Sequence, residues 1–192
     1  MLYQALIEYC SPILAGIKTG SLFRLAAESE TFKEEIRRLN SILVKKGLRI
    51  LSVRRGRNIL IYVYRPKSLE QDLCQPEAVE ILKKKGYPCN APALCLRCLF
   101  RHLEADRDFP HEIGLFLSYP PSDVKSFMED ARKGVCYAGC WKAYGNEQMA
   151  RETSERYKKC TEDYRKRMNM GYSLEQLTVQ TGTGLKCREA VA

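Results

Sequence analysis

Hydrophobic and polar positions change their period along this chain, and the changes mark out its elements. Residues 3–17 are apolar at short range, "YQALIEYC" and then "PILAGI", which predicts a short helix followed by a strand. From Thr31 to Gly47 the period is helical. Phe32, Ile36, Leu39 and Leu43 share one face, Thr31 with Glu34 has the form of a capping box, and Gly47 suits a left-handed cap. The period then drops to two. The runs 48–53 and 59–65 flank Gly56 and Asn58, which predicts a β-hairpin stopped by Pro66. In the second run Ile59, Ile61 and Val63 alternate with Leu60, Tyr62 and Tyr64. That strand is apolar on both faces and is expected at the centre of a sheet or beneath helices.

Helical signals dominate the remainder. Ser68 with Gln71 predicts a short cap, and Pro76 opens a helix ending near Gly86. "APALCLRCLFRHLEA" forms a third helix. Pro110 opens a fourth through Ser118, and Pro121 a fifth to about Arg132. "GVCYAGCWKAYG" reads as irregular or a short strand. Asn146 caps a long helix to about Met170, with Met149, Thr153, Tyr157, Cys160, Tyr164 and Met168 as its apolar seam. Ser173 with Gln176 caps a last short helix. The pattern predicts an α+β fold: a small antiparallel sheet with the basic hairpin, packed with several helices and a long C-terminal one. One domain is expected over residues 1–180, with 181–192 as a disordered tail.

Composition narrows the class. At 45% hydrophobic and 29% charged residues, the chain reads as soluble and globular. No stretch is long and apolar enough to span a bilayer, so no membrane insertion is expected. The N-terminus lacks a basic leader followed by an apolar core, so a cytoplasmic location is expected. The net charge of +9 comes from one segment: residues 33–67 hold 11 Lys and Arg against 2 acidic residues, and the rest is balanced. Nine cysteines is an odd count, which in a reducing compartment means free thiols, metal ligands or small core residues.

Several chemistries are excluded. There is no phosphate-binding P-loop, and "TGTGLKC" follows no strand and lacks the third glycine of a dinucleotide fingerprint. "HEIGL" has leucine at 115, where a zinc-protease helix needs histidine. "KTG" at 18–20 and "SDVK" at 122–125 stand in the wrong order for a serine acyl-transferase.

Five constellations remain. Cys95, Cys98 and His102 share a helical face, with the spacing of a zinc or iron site or of a core stripe using small thiols. His111 and Glu112 occupy the first turn after Pro110. They form a helix start or a site, since a neutral imidazole can be a base or a ligand. Cys10 with His111 as its base, and Glu112 beside it, would make a thiol-dependent enzyme. Arg54, Arg55 and Arg57 crowd the hairpin turn, either to grip nucleic acid or an acidic partner, or as a solvated tip. Residues 110–132 have the outline of a helix-turn-helix, but the second helix is too acidic for DNA, so a plain helical hairpin is expected.

"FPHEIGLFLSYPPSDVKSFME", followed by "GCWKAYG" and "RYKKCTEDYRKR", resembles a family of bacterial domains of unknown function found in anaerobes. "YCSPILAGIKTGSLF" and "VYRPKSLEQDL" extend the resemblance over roughly residues 5–180. The resemblance implies shared roles for Cys10 and Lys18, for His111, Glu112 and Gly114, and for Trp141, Lys142 and Tyr144. Of these, Lys18, Trp141, Lys142 and Tyr144 are expected to bind a cofactor. It also implies a link to ferrous-iron or flavodoxin metabolism. The expected function is therefore an iron- or redox-linked accessory protein that binds iron, zinc, a flavin partner or a redox protein. A nucleic-acid module and a thiol enzyme are the alternatives. Cys136 and Cys140 bracket "YAG" where the family pattern has one cysteine, and Cys95 and Cys98 match nothing in that pattern.

Overall fold

The computed structural model describes residues 2–26, 31–88, 91–105 and 108–180, the side chain of Thr31 apart. The predicted Thr31 cap and the tail 181–192 lie outside what is described. Helix α1 spans Leu2–Leu14 and buries Leu2, Leu6, Ile7, Cys10, Ile13 and Leu14. The helix runs on through Pro12, so the strand expected in "PILAGI" starts later, as β1 over Gly20–Ala26. Helix α2, Thr31–Leu43, passes into a 3-10 turn over Val44–Lys46 that Gly47 closes at φ 80°. Strands β2 (Arg49–Arg55) and β3 (Asn58–Tyr64) form the expected hairpin, with Gly56 at φ 57° in its turn.

β3 is the central strand, antiparallel to β1 and β2 in the order β1-β3-β2. Its two faces feed two separate cores. Ile61 and Val63 pack with α1 and with Leu39 and Leu43 of α2. Leu60, Tyr62 and Tyr64 pack against the helices that follow. These are α3 (Pro66–Leu73), α4 (Pro76–Lys84), α5 (Pro92–Glu104), a 3-10 helix over His111–Leu117 and α6 (Pro121–Glu129). Pro66 itself opens α3, so Ser68 is inside the helix and is not its cap. Residues 111–117 take the tighter 3-10 form and not the α-helix expected from Pro110, and Ser118 ends them at φ 59°.

A two-residue ribbon, β4 (Tyr137–Ala138) with β5 (Lys142–Ala143), precedes the long helix α7, Glu147–Asn169. Asn146 caps α7 by accepting the Met149 N–H, and α7 packs along α1. The seam is shifted from the expected one. Met149 is 37% exposed, and the small residues Ala150 and Ser154 face inward in its place. The last helix, α8 over Leu174–Leu177, carries the full Ser173–Gln176 capping box.

One buried cation ties these parts together. Arg65 is 1% exposed, at the junction of β3 and α3. Its guanidinium donates to the carbonyls of Ile13 at 2.8 Å, Leu14 at 3.0 Å, Val179 at 2.8 Å and Lys46 at 3.4 Å. Ile13 and Leu14 end α1 and Lys46 ends a 3-10 turn, so the charge rests on the negative ends of two helices. Burial pulls the guanidinium down to about 10. Among the described residues no helix is long and apolar enough to cross a membrane.

Candidate functional site

The 3-10 helix, α6 and the β4–β5 ribbon enclose a cleft of about 220 Å³. Its walls are mainly rings: Phe109, His111, Tyr119, Phe127 and Trp141, with Lys142 at one side. The key carboxylate is Asp123, 3% exposed, in the first turn of α6. Its Oδ2 accepts the Trp141 indole N–H at 2.7 Å, and its Oδ1 accepts the Tyr144 backbone N–H at 2.9 Å. Trp141 also stacks on Tyr119, with centroids 5.5 Å apart and planes at 24°. The Tyr119 hydroxyl donates to the Cys140 carbonyl at 2.9 Å. The ribbon is thus pinned from three directions and holds one face of the cleft rigid.

The opposite wall is equally constrained. His111 meets Phe127 edge-on at 5.1 Å. The Lys142 ammonium lies 5.7 Å from the Phe127 centroid and donates to the Ala131 carbonyl at 3.0 Å. Gly114 allows the 3-10 helix to close on α6, since a Cβ there would stand 2.7 Å from Val124 Cγ2.

Beyond His111 lies a second cavity of about 560 Å³, which shares Phe109 and His111 with the first. Glu112, 5% exposed, lines it together with His102. The Tyr87 hydroxyl donates to Glu112 Oε1 at 2.8 Å. His102 Nδ1 lies 3.2 Å from the Tyr87 oxygen, and His102 Nε2 lies 3.7 Å from Cys98 Sγ. The Tyr87 oxygen thus faces both Glu112 and His102 Nδ1, while His102 Nε2 faces the Cys98 thiol. The chain runs Cys98 to His102 to Tyr87 to Glu112 and ends on a carboxylate. Burial and the adjacent Glu112 charge both hold the Tyr87 hydroxyl far above the ordinary phenol range.

This geometry does not converge the expected metal set on one point. The two nitrogens of His102 face different partners, and Cys95 donates to the Pro88 carbonyl at 3.3 Å. Among the described residues no group of three or more His, Cys, Asp or Glu side chains is placed to hold a metal ion. Cys95 and Cys98 lie in the core with Leu99 and Leu103. Cys136 and Cys140 are exposed on the ribbon.

The thiol-enzyme arrangement is likewise not assembled. Cys10 is fully buried in the core that packs on Ile61 and Val63, whereas Ile113, next to the His111–Glu112 pair, belongs to the core on the other face. Burial pushes the Cys10 thiol far above its ordinary range, the reverse of an activated nucleophile. Lys18 does not line the aromatic cleft. Its ammonium lies 5.5 Å from the Tyr119 centroid and 5.6 Å from that of Tyr157. Burial lowers its amine below the ordinary lysine range, against the opposing pull of Cys140 and Cys10.

The basic hairpin divides into two kinds of arginine. Arg55 donates to the carbonyls of Leu103 at 2.9 Å and Ala105 at 3.3 Å, and its guanidinium lies 5.6 Å from the Phe109 centroid. It caps the C-terminal end of α5. Arg54 and Arg57 are exposed.

The structure therefore gathers His111, Gly114, Trp141 and Lys142 around one cleft, sets Glu112 behind it and hangs Tyr144 on Asp123. Sequence reasoning overlooked Asp123, Tyr119, Phe127 and Tyr87. Asp123 has a local signal, a carboxylate in the first turn after "YPP", but that signal reads as a helix-dipole partner. Nothing local announces its reach to Trp141, 18 residues away.

The family described as protein of unknown function (DUF3793) matches residues 6–178, and the chain belongs to that family. No curated protein and no solved structure matches it.

Proposed function

We propose that this member of the family is a cytosolic binding protein for a small ligand with a flat ring, held in the aromatic cleft. The observation that carries this reading is the double use of Asp123. One buried carboxylate holds both the Trp141 indole and the Tyr144 backbone, so the cleft wall stands formed before any ligand arrives. Concave sites with apolar walls and few fixed polar groups are the usual form of small-molecule sites. Rings on several sides favour a planar guest by stacking and edge contacts. The Lys142 ammonium at the side favours a guest with a carboxylate, phosphate or carbonyl on its edge.

The iron- or redox-linked role is the finer form of this proposal. A flavin-type ring is a planar guest of the required kind, and a redox partner protein would present its cofactor to the same cleft. Thermal unfolding of the full chain with flavin mononucleotide, nucleobases, aromatic carboxylates, ferrous iron and zinc tests the proposal. A bound guest raises the transition by mass action. A planar compound that stabilises the wild type but not Phe127→Ala supports the cleft. Stabilisation by metal alone, with every ring compound silent, removes the reading.

A second reading rests on Arg54 and Arg57. They stand exposed at the hairpin tip of the segment that holds the whole net charge. A nucleic-acid or acidic-partner interface there loses affinity steeply with salt, and Arg54→Glu with Arg57→Glu abolishes it. Absence of binding at low salt ends that reading.

A further inference from the structure

A further cavity, of about 330 Å³, lies between α1, α7 and the β4–β5 ribbon. Lys18 borders it from the turn that follows α1. Gly16 stands at φ 78° in that turn, and the Ile17 and Lys18 N–H groups both donate to the Pro12 carbonyl, at 2.9 and 3.1 Å. The start of the Lys18 side chain is therefore fixed by its own backbone. Its nitrogen lies 5.5 Å from the Tyr119 centroid and 5.6 Å from that of Tyr157. Both rings are anchored, Tyr119 by the Cys140 carbonyl and by stacking on Trp141, and Tyr157 by the Ile17 carbonyl at 3.4 Å.

An amine held this way differs chemically from a surface lysine. Burial disfavours the ammonium, while Cys140 and Cys10 pull the other way, and the net effect lowers the amine. More of it is then free base, with a lone pair for an electrophile. The two ring faces accept a cation without hydrating it. A protonated imine is such a cation, more diffuse and less hydrated than an ammonium, so the rings suit the product as well as the starting amine. The same cavity supplies apolar wall from Pro12 and Tyr9, and proton carriers in the Glu162 carboxylate and the Ser154 hydroxyl.

We propose that Lys18 forms an imine with a small aldehyde or ketone that enters this cavity. The amine nitrogen attacks the carbonyl carbon, and a proton passes from nitrogen to the carbonyl oxygen. The C–O bond then breaks, water leaves and the C=N bond forms, with no oxidant or reductant required. The site lies behind Tyr119, outside the aromatic cleft, and does not depend on the ring-binding reading.

The test traps the imine. The full chain is incubated near neutral pH with propanal and sodium cyanoborohydride, whose hydride reduces the C=N bond to a stable propylamine. The propylated lysines are then mapped by mass spectrometry of proteolytic peptides. The expected result is labelling of Lys18 at least about tenfold faster than that of the exposed Lys45 and Lys83. In denaturing urea the preference disappears. Thr161→Phe, which narrows the cavity and keeps the amine, brings Lys18 down to the rate of the exposed lysines or below it. Should Thr161→Phe fail to fold, the comparison of folded and urea-unfolded wild type decides alone. Labelling of Lys18 no faster than that of the exposed lysines, a preference that survives in urea, or an unchanged preference in folded Thr161→Phe overturns the proposal.

Discussion

The Asp123 carboxylate accepts the Trp141 indole N–H at 2.7 Å, joining the first turn of α6 to the β4–β5 ribbon. The same carboxylate holds the Tyr144 N–H, so two groups of the cleft wall depend on one acceptor. Asp123→Asn puts an amide where both oxygens now accept, and at least one N–H then loses its partner. The expected cost is about 1–3 kcal/mol in urea unfolding. The emission of Trp141, the single tryptophan, also moves to the red as the indole loosens. Unchanged stability and emission would contradict this role for Asp123.

Arg65 reaches four backbone carbonyls from α1, the turn at Lys46 and Val179. Arg65→Met leaves these acceptors buried without it and destabilises the fold by about 3 kcal/mol or more. Arg65→Lys recovers only part of this, because one ammonium cannot span the fork. Arg54→Ala and Arg57→Ala, on the exposed turn, stay within about 0.5 kcal/mol of wild type. Urea unfolding of the four variants checks the ordering.

Cys10 is a packing residue in this account. Iodoacetamide labels the exposed Cys74, Cys136 and Cys140 in the folded protein and reaches Cys10 only on unfolding. Cys10→Ser puts a hydroxyl in an apolar core and costs about 1–3 kcal/mol. Rapid labelling of Cys10 in the native state contradicts this placement.

Lys18 sets an alkaline dependence. Its folded-state amine lies below the ordinary lysine range through burial. Between the folded and unfolded values the unfolded chain binds the extra proton, so stability contributed by this group rises with pH. The penalty of burying the ammonium is fully present below the folded value and fades above it. The stability difference between Lys18→Met and wild type therefore narrows as pH rises through that window. A difference independent of pH contradicts the assignment.

The hairpin and the central place of β3 were legible because period-two alternation with apolar residues on both faces has few other solutions. Ile61 and Val63 did go to one core and Leu60, Tyr62 and Tyr64 to the other. The seam of α7 was misread at its start. A hydrophobicity pattern selects Met149, but the ribbon sits too close for a long side chain. Gly139, whose Cβ would stand 2.5 Å from Ser154 Oγ, marks that approach. The site was half legible. The resemblance singled out residues 111–114 and 141–144, and the fold brings them together. The side chains that hold them there, Asp123, Tyr119 and Phe127, act across the tertiary structure and leave no spacing to read. Within the basic segment, Arg55 and Arg65 count toward net charge, yet both donate to helix-end carbonyls, a reach across the fold that spacing does not announce.

The most direct test of the aromatic cleft is the emission of Trp141 during titration with whichever ring compound raises the thermal transition. The account predicts a saturable change in emission at the same affinity, lost in Phe127→Ala. A compound that stabilises the protein while Trp141 emission stays constant through saturation would place its site elsewhere and contradict the account.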